Sequence, residues 1–192
     1  MMRIITGKAK GARLKTLEGD ATRPTSERVK EAVFSMIQFD LEGREVLDLF
    51  AGSGQMGLEA LSRGASSAVL VDRSRDAVRI IEENAVKTKL MPDCTIRQSD
   101  CMDYIHRNRG KKFDIVFIDP PYASGLYRPV LQALLDADCL KPTSLIICES
   151  DTTAIFEQDE VLEQRFCVKK TSQYSKTVIT VLEVVAPKEE SV

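Results

Sequence analysis

The chain has 192 residues, 43% of them hydrophobic, a formal net charge of −2 and no break in composition, which describes one domain able to bury its own core and excludes a global field that would draw it onto nucleic acid. Five cysteines (Cys94, Cys101, Cys139, Cys148, Cys167) are odd in number and form no Cys-x-x-Cys pair, against a disulfide framework or a zinc site and for a reducing cytoplasmic setting without a metal. No apolar run has the length of a signal core or a membrane span.

The first 40 residues differ from the rest. Arg3, Lys8, Lys10, Arg13 and Lys15 precede the first acid, Glu18, on a short alternating pattern with Gly7 and Gly11 between. This predicts a small hairpin or two short strands carrying positive charge. A solvated edge ribbon would look the same. Next, Thr25 is a candidate helix cap with Glu27 in the first turn, flanked by Arg23 and Arg28. Val29, Ala32, Val33, Met36 and Ile37 then repeat at helical spacing, a core-packing face.

Beyond a linker at 39–44 the chain alternates. The pattern predicts strands at 45–49, 68–72, 94–98, 113–119 and 144–149, with helices at 56–62, 74–88, 102–108 and 127–136 between them. Such alternation means right-handed crossovers and a parallel sheet covered on both faces. The end is different: strands at 166–171 and 177–185, joined by a polar turn at 172–176, form a hairpin and so introduce one reversed strand. Residues 187–192 read as a disordered tail.

The run from Val46 to Gly57 is an apolar strand that breaks into Gly52, Gly54 and Gly57 where a helix should begin. With Asp72 twenty residues after Gly52, the spacing satisfies a dinucleotide fingerprint. Asp48 argues against a pyrophosphate, since it puts a carboxylate at the end of the first strand, where like charges would repel. The same carboxylate suits a cationic cofactor such as S-adenosylmethionine. Ligands in these sheets bind beyond the carboxyl ends of the strands, and this chain ends four successive strands with Asp48, Asp72, Asp100 and Asp119. The expected cofactor contacts are Asp48, Phe50, Gly52, Gly54, Asp72 with Arg73, Asp100 and Cys101, with Asp72 on the ribose hydroxyls and Asp100 on the adenine amine.

Asp119-Pro120-Pro121-Tyr122 is the most specific signal. Two prolines remove two N–H donors and stiffen the loop, leaving its carbonyls free to accept. An exocyclic amine bound by the Asp119 side chain and the Pro120 carbonyl would turn its lone pair toward a methyl donor. Tyr122 would stack on the base.

With these motifs in place, the chain resembles the RsmD family, bacterial methyltransferases of 16S ribosomal RNA that modify guanine at N2. The resemblance is carried by Arg3-Ile4-Ile5 with Gly7 and Gly11, Arg23-Pro24-Thr25 with Arg28, and Leu47-Asp48-Leu49-Phe50-Ala51-Gly52-Ser53-Gly54 with Gly57-Leu58-Glu59-Ala60. Ser62-Arg63-Gly64-Ala65 and the stretch from Phe113-Asp114 through Tyr122 complete it, so that it runs from Arg3 to about Val184. It implies a class I, Rossmann-like methyltransferase fold with a mostly parallel seven-stranded sheet and a reversed last strand, S-adenosylmethionine as donor, and 16S rRNA of the small subunit as substrate. Asp72 stands where glutamate is more usual. In that setting Arg3, Lys8, Lys10, Arg13, Arg23 and Arg28 become expected phosphate contacts, and residues 1–40 an RNA-binding, cofactor-covering extension. Direct transfer to the amine, with Asp119, Pro120, Pro121 and Tyr122 forming the catalytic loop and no cysteine nucleophile, is the expected chemistry. His106, among Arg107, Arg109, Lys111 and Lys112, reads as solvated surface. Three other readings use the same motifs: a DNA amino-methyltransferase, for which the chain has no room for a recognition domain, a glutamine-modifying protein methyltransferase, and a non-catalytic RNA-binding module.

Overall fold

The computed structural model describes residues 2–17, 27–121, 124–156 and 159–185. Seven strands form one sheet in the order β3-β2-β1-β4-β5-β7-β6: β1 (Glu45–Asp48), β2 (Ser67–Asp72), β3 (Cys94–Gln98), β4 (Phe113–Ile118), β5 (Leu140–Ser150), β6 (Phe166–Tyr174) and β7 (Thr177–Val184). The first five pair in parallel, and β7 lies antiparallel between β5 and β6. β4 shows why the centre is parallel: all six of its residues are buried, the two-sided burial that a sheet covered on both faces requires.

Helices α1 (Glu27–Met36), α2 (Gln55–Ser62) and α3 (Arg75–Lys87) cover one face, where Val33, Phe34, Leu58 and Ile81 pack with Val46, Leu70 and Phe117. On the other face α4 (Cys101–Arg107), α5 (Tyr127–Asp136) and α6 (Glu160–Arg165) bury Ile105, Leu134 and Leu162 against Leu47, Val116 and Ile146. Among the described residues, no helix is long and apolar enough to cross a membrane.

Four local expectations change. β5 begins at Leu140 rather than 144 because Ser144 donates its Oγ–H to the Phe113 carbonyl (2.6 Å) and accepts from Lys141 N (2.7 Å), which carries the polar stretch around Pro142 across a register shift. The final hairpin turns on Ser175 and Lys176 alone, with Ser175 left-handed at φ 59°. β6 is an edge strand with most of its residues exposed, so residues 172–174 are polar without being a turn. α6 was not expected. Asp159 caps it by accepting from Leu162 N at 3.2 Å.

The amino-terminal segment is a minimal hairpin. A single antiparallel bridge joins Arg3 and Arg13, supported by Ile4 N to Ala12 O and Gly11 N to Ile4 O, both 2.9 Å. What holds it is α2. Glu59, with no exposed surface, accepts from Ile5 N (2.7 Å), Thr6 N (3.0 Å) and Arg63 Nε (2.8 Å). Lys30, equally buried, reaches to 3.5 Å from Glu59 and donates to the Arg3 carbonyl at 2.6 Å. Burial lowers the Lys30 pKa, and the Glu59 charge opposes that shift. The expected core face of α1 packs through Val29, Val33 and Ile37. The Thr25 cap and Arg23 lie outside the described residues.

Candidate functional site

At the carboxyl ends of the parallel strands lies a cavity of about 1120 Å³, large enough for a nucleotide-sized ligand and a second group beside it. β1 turns into α2 through Gly54, whose φ of 78° places it in the left-handed region. A Cβ there would lie 3.0 Å from Leu70 Cδ2 and 3.1 Å from Ile81 Cγ2, so the turn admits only glycine. Gly54 thus shapes the loop and does not itself line the cavity. Gly52, Phe50 and Asp48 do line it.

Each strand-end carboxylate is held differently. Asp48 is 3% exposed and accepts from Gly57 N at 3.3 Å. Burial pushes its carboxyl from 3.8 to about 7, the backbone bonds from Gly57 and Phe50 oppose this, and the Asp72 charge adds to it. Asp72 uses both oxygens locally, Oδ2 accepting from Gly52 N and Oδ1 from Ser74 N, each at 2.8 Å. Asp100 caps α4 through Oδ1, which accepts from Met102 N at 2.8 Å. Asp119 has no hydrogen-bond partner among the described residues; burial, then the charges of Glu149 and Asp48, raise its pKa well above the carboxylate range.

Asp48, Phe50, Gly52, Asp72, Arg73, Asp100, Cys101, Asp119 and Pro121 all line the one cavity. Pro120 is buried between Asp119 and Pro121, both of which line the cavity. Tyr122 lies outside the described residues. Of the expected phosphate contacts, Arg3 pairs with Glu27 (3.3 Å) and Lys8 with Asp93 (2.9 Å), whereas Lys10, Arg13 and Arg28 are exposed. None of these five lines the cavity. In the basic group after α4, Arg109 donates to the Asp136 carbonyl at 2.7 Å and Lys112 pairs with Asp138 at 3.0 Å.

Sequence reasoning missed two groups. Glu149, at the carboxyl end of β5, lines the cavity, and the strand-end rule carried one strand further selects it. Gln55, the first residue of α2, is 8% exposed and lines the cavity, yet its Oε1 has no hydrogen-bond partner among the described residues. A buried acceptor without a donor is costly unless a ligand supplies one. Met2, Thr16 and Leu17 of the amino-terminal segment complete the wall, with Ser53 Oγ 3.2 Å from Met2 Sδ. The lining therefore offers carboxylates and an idle amide oxygen, a set of acceptors that fits a ligand rich in N–H groups and positive charge. The thiols are poor nucleophiles: burial raises Cys101 to about 11 and moves Cys148 up further.

The family model described as "Conserved hypothetical protein 95" matches residues 2–182. Ribosomal RNA small subunit methyltransferase D of Escherichia coli is 34% identical over 150 residues, 78% of this chain and 75% of that protein. The solved structure of yhhF from Escherichia coli superposes with a TM-score of 0.83 at 28% identity, covering 96% of this chain and 98% of the other. SMU.776, solved complexed with SAH, shares the fold at a TM-score of 0.69 and 20% identity, over 81% of this chain and 49% of that one.

Proposed function

We infer that this chain, which belongs to the RsmD family described as "Conserved hypothetical protein 95", transfers a methyl group from S-adenosylmethionine to the exocyclic N2 amine of a guanine in 16S rRNA of the small ribosomal subunit. The observation that carries this reading is Asp119: an acceptor with no hydrogen-bond partner among the described residues, directly after β4 and in the same cavity as Asp48 and the glycine loop. When bound, S-adenosylmethionine supplies a methyl group on a positively charged sulfonium. Asp48 and the Gln55 Oε1 would hold its charged and N–H-bearing end. The outer lone pairs of Asp72 would take the ribose hydroxyls, and the free oxygen of Asp100 the adenine amine.

Asp119 does the positioning. Burial and neighbouring carboxylates favour its protonated form in the empty pocket, and positive charge entering the cavity offsets that repulsion so that it ionises. As a carboxylate it accepts from the target amine and turns the nitrogen lone pair outward. The amine nitrogen would take the methyl in place of the donor's sulfur, one N–C bond replacing one C–S bond, and would then release a proton to water or to Asp119. The Pro120 carbonyl would take the second N–H and Tyr122 would stack on the base. With the thiols of Cys101 and Cys148 held protonated, direct transfer needs no covalent enzyme intermediate. The exposed Lys10, Arg13 and Arg28 would contact phosphates.

The test is transfer of a labelled methyl group from S-adenosylmethionine to small subunits isolated from a strain lacking this gene, followed by nucleoside analysis. N2-methylguanosine is the expected product. Label in adenosine, DNA or protein would replace the substrate, and no label in any of them would replace the reaction with RNA binding alone.

A further inference from the structure

β4 and β5 are parallel neighbours, with Phe117 opposite Ile147 and Ile118 opposite Cys148. The next residues along, Asp119 just past β4 and Glu149 still within β5, therefore stand side by side, with Cα atoms about 5 Å apart. Both line the cavity, and Glu149 is the strongest charge acting on Asp119. The end of β5 is fixed by Tyr127, whose hydroxyl donates to the Glu149 carbonyl at 2.5 Å. Apolar lining lies next to the two carboxylates: Phe117 and Ile147 two residues back on the same strands, and Ile179 opposite Glu149.

Two adjacent acceptors over an apolar floor suit a flat ring that presents two adjacent donors. Guanine does so with its N1–H and N2 amine. Adenine and cytosine place a ring acceptor next to the amine, which a carboxylate repels, and uracil has no amine. Enzymes that act on a base read this edge once the base leaves its stack.

Resting on the reading of this protein as a guanine-N2 methyltransferase, we propose that Glu149 accepts the N1–H of the target guanine while Asp119 accepts from its N2 amine, making Glu149 the residue that selects guanine. Glu149 touches the base but not the transferred methyl. It is a specificity-determining contact distinct from the catalytic loop.

The discriminating substrate is 2-aminopurine, which keeps the amine but carries an acceptor at N1. Small subunits reconstituted with 2-aminopurine at the mapped acceptor position are compared with guanine subunits, using wild type and Glu149→Gln. Wild type should favour guanine by roughly 10³ in kcat/KM. Glutamine can accept from guanine N1–H or donate to 2-aminopurine N1, so the variant's preference should fall to about tenfold or less. Cofactor affinity and Tm should stay at wild-type values, and quenching of 2-aminopurine fluorescence should report tighter seating in the variant without any transfer step. Wild type that uses both bases equally, or a variant with unchanged preference, overturns the role of Glu149 while leaving the guanine reading intact. Wild type that never labels guanine N2 removes both.

Discussion

Asn84 in α3 clasps the main chain of Lys15 from both sides, its Oδ1 accepting from Lys15 N at 2.8 Å and its Nδ2 donating to Lys15 O at 3.0 Å. The same Nδ2 donates to the Ser53 carbonyl at 2.9 Å. One fully buried side chain thus ties the amino-terminal segment to the glycine loop, on either side of the cavity wall. Asn84→Ala leaves these backbone groups unpaired. It should cost roughly 2–3 kcal/mol of stability and weaken S-adenosylhomocysteine binding about tenfold, measured by denaturant unfolding and calorimetric titration, although Asn84 does not line the cavity.

Asp48 should trade stability for binding. Its folded pKa is raised from 3.8 to about 7, so folding favours the protonated form. That contribution is full below about pH 4 and is lost as pH rises through 7. Asp48→Asn, neutral throughout, should therefore melt above wild type at pH 8, by roughly 2–4 kcal/mol, with the gap closing at pH 4. Wild-type affinity for S-adenosylmethionine should rise between pH 6 and 8 as Asp48 ionises against the ligand's charge. The asparagine variant should lose that rise, and an unchanged pH profile would remove Asp48 from the cation's surroundings.

Asp119→Ala should separate binding from turnover. Methyl transfer should fall by about 10²–10³ or more, while S-adenosylhomocysteine affinity changes less than about threefold. Retained turnover would refute the assignment.

The idle Gln55 Oε1 gives a sharper check on the cofactor's orientation. Gln55→Leu removes a buried acceptor that has no partner among the described residues, so the unliganded protein should gain slightly in Tm. Cofactor binding should weaken by roughly 1–2 kcal/mol. A variant that binds as tightly as wild type would place the ligand's N–H groups elsewhere.

The clasp at Glu59 can be opened deliberately. Glu59→Ala strips Lys30 of its counter-charge and frees Ile5 N and Thr6 N, at a cost of about 3–5 kcal/mol. Gly7→Ala acts on the same seam, since at φ 85° a Cβ there would lie 1.7 Å from the Ser62 carbonyl oxygen and must push the turn off α2. Both variants should melt below wild type and become sensitive to limited proteolysis within residues 2–17.

The sequence made the sheet legible because its strands are short apolar runs punctuated by glycine, aspartate and proline, and α5 was expected at 127–136, where it lies. It made most of the cavity legible because ligands gather at strand ends. What it hid were pairings between distant residues. Lys30 follows Val29 on α1, and a lysine there reads as solvated; only folding sets it against Glu59. Gln55 reads as an ordinary first-turn residue until its amide is found buried. β6 hid its last residues because an edge strand can be as polar as a turn.

The position of β7 has a consequence for synthesis. β6 precedes β7 in the chain but does not touch β5; β7 must enter between them. While residues 177–184 remain inside the exit tunnel, Ile146, Ile147 and Cys148 border an open strand edge, and the cavity lacks the wall that Ile179 provides. The binding cavity therefore closes only once β7 has slotted between β5 and β6.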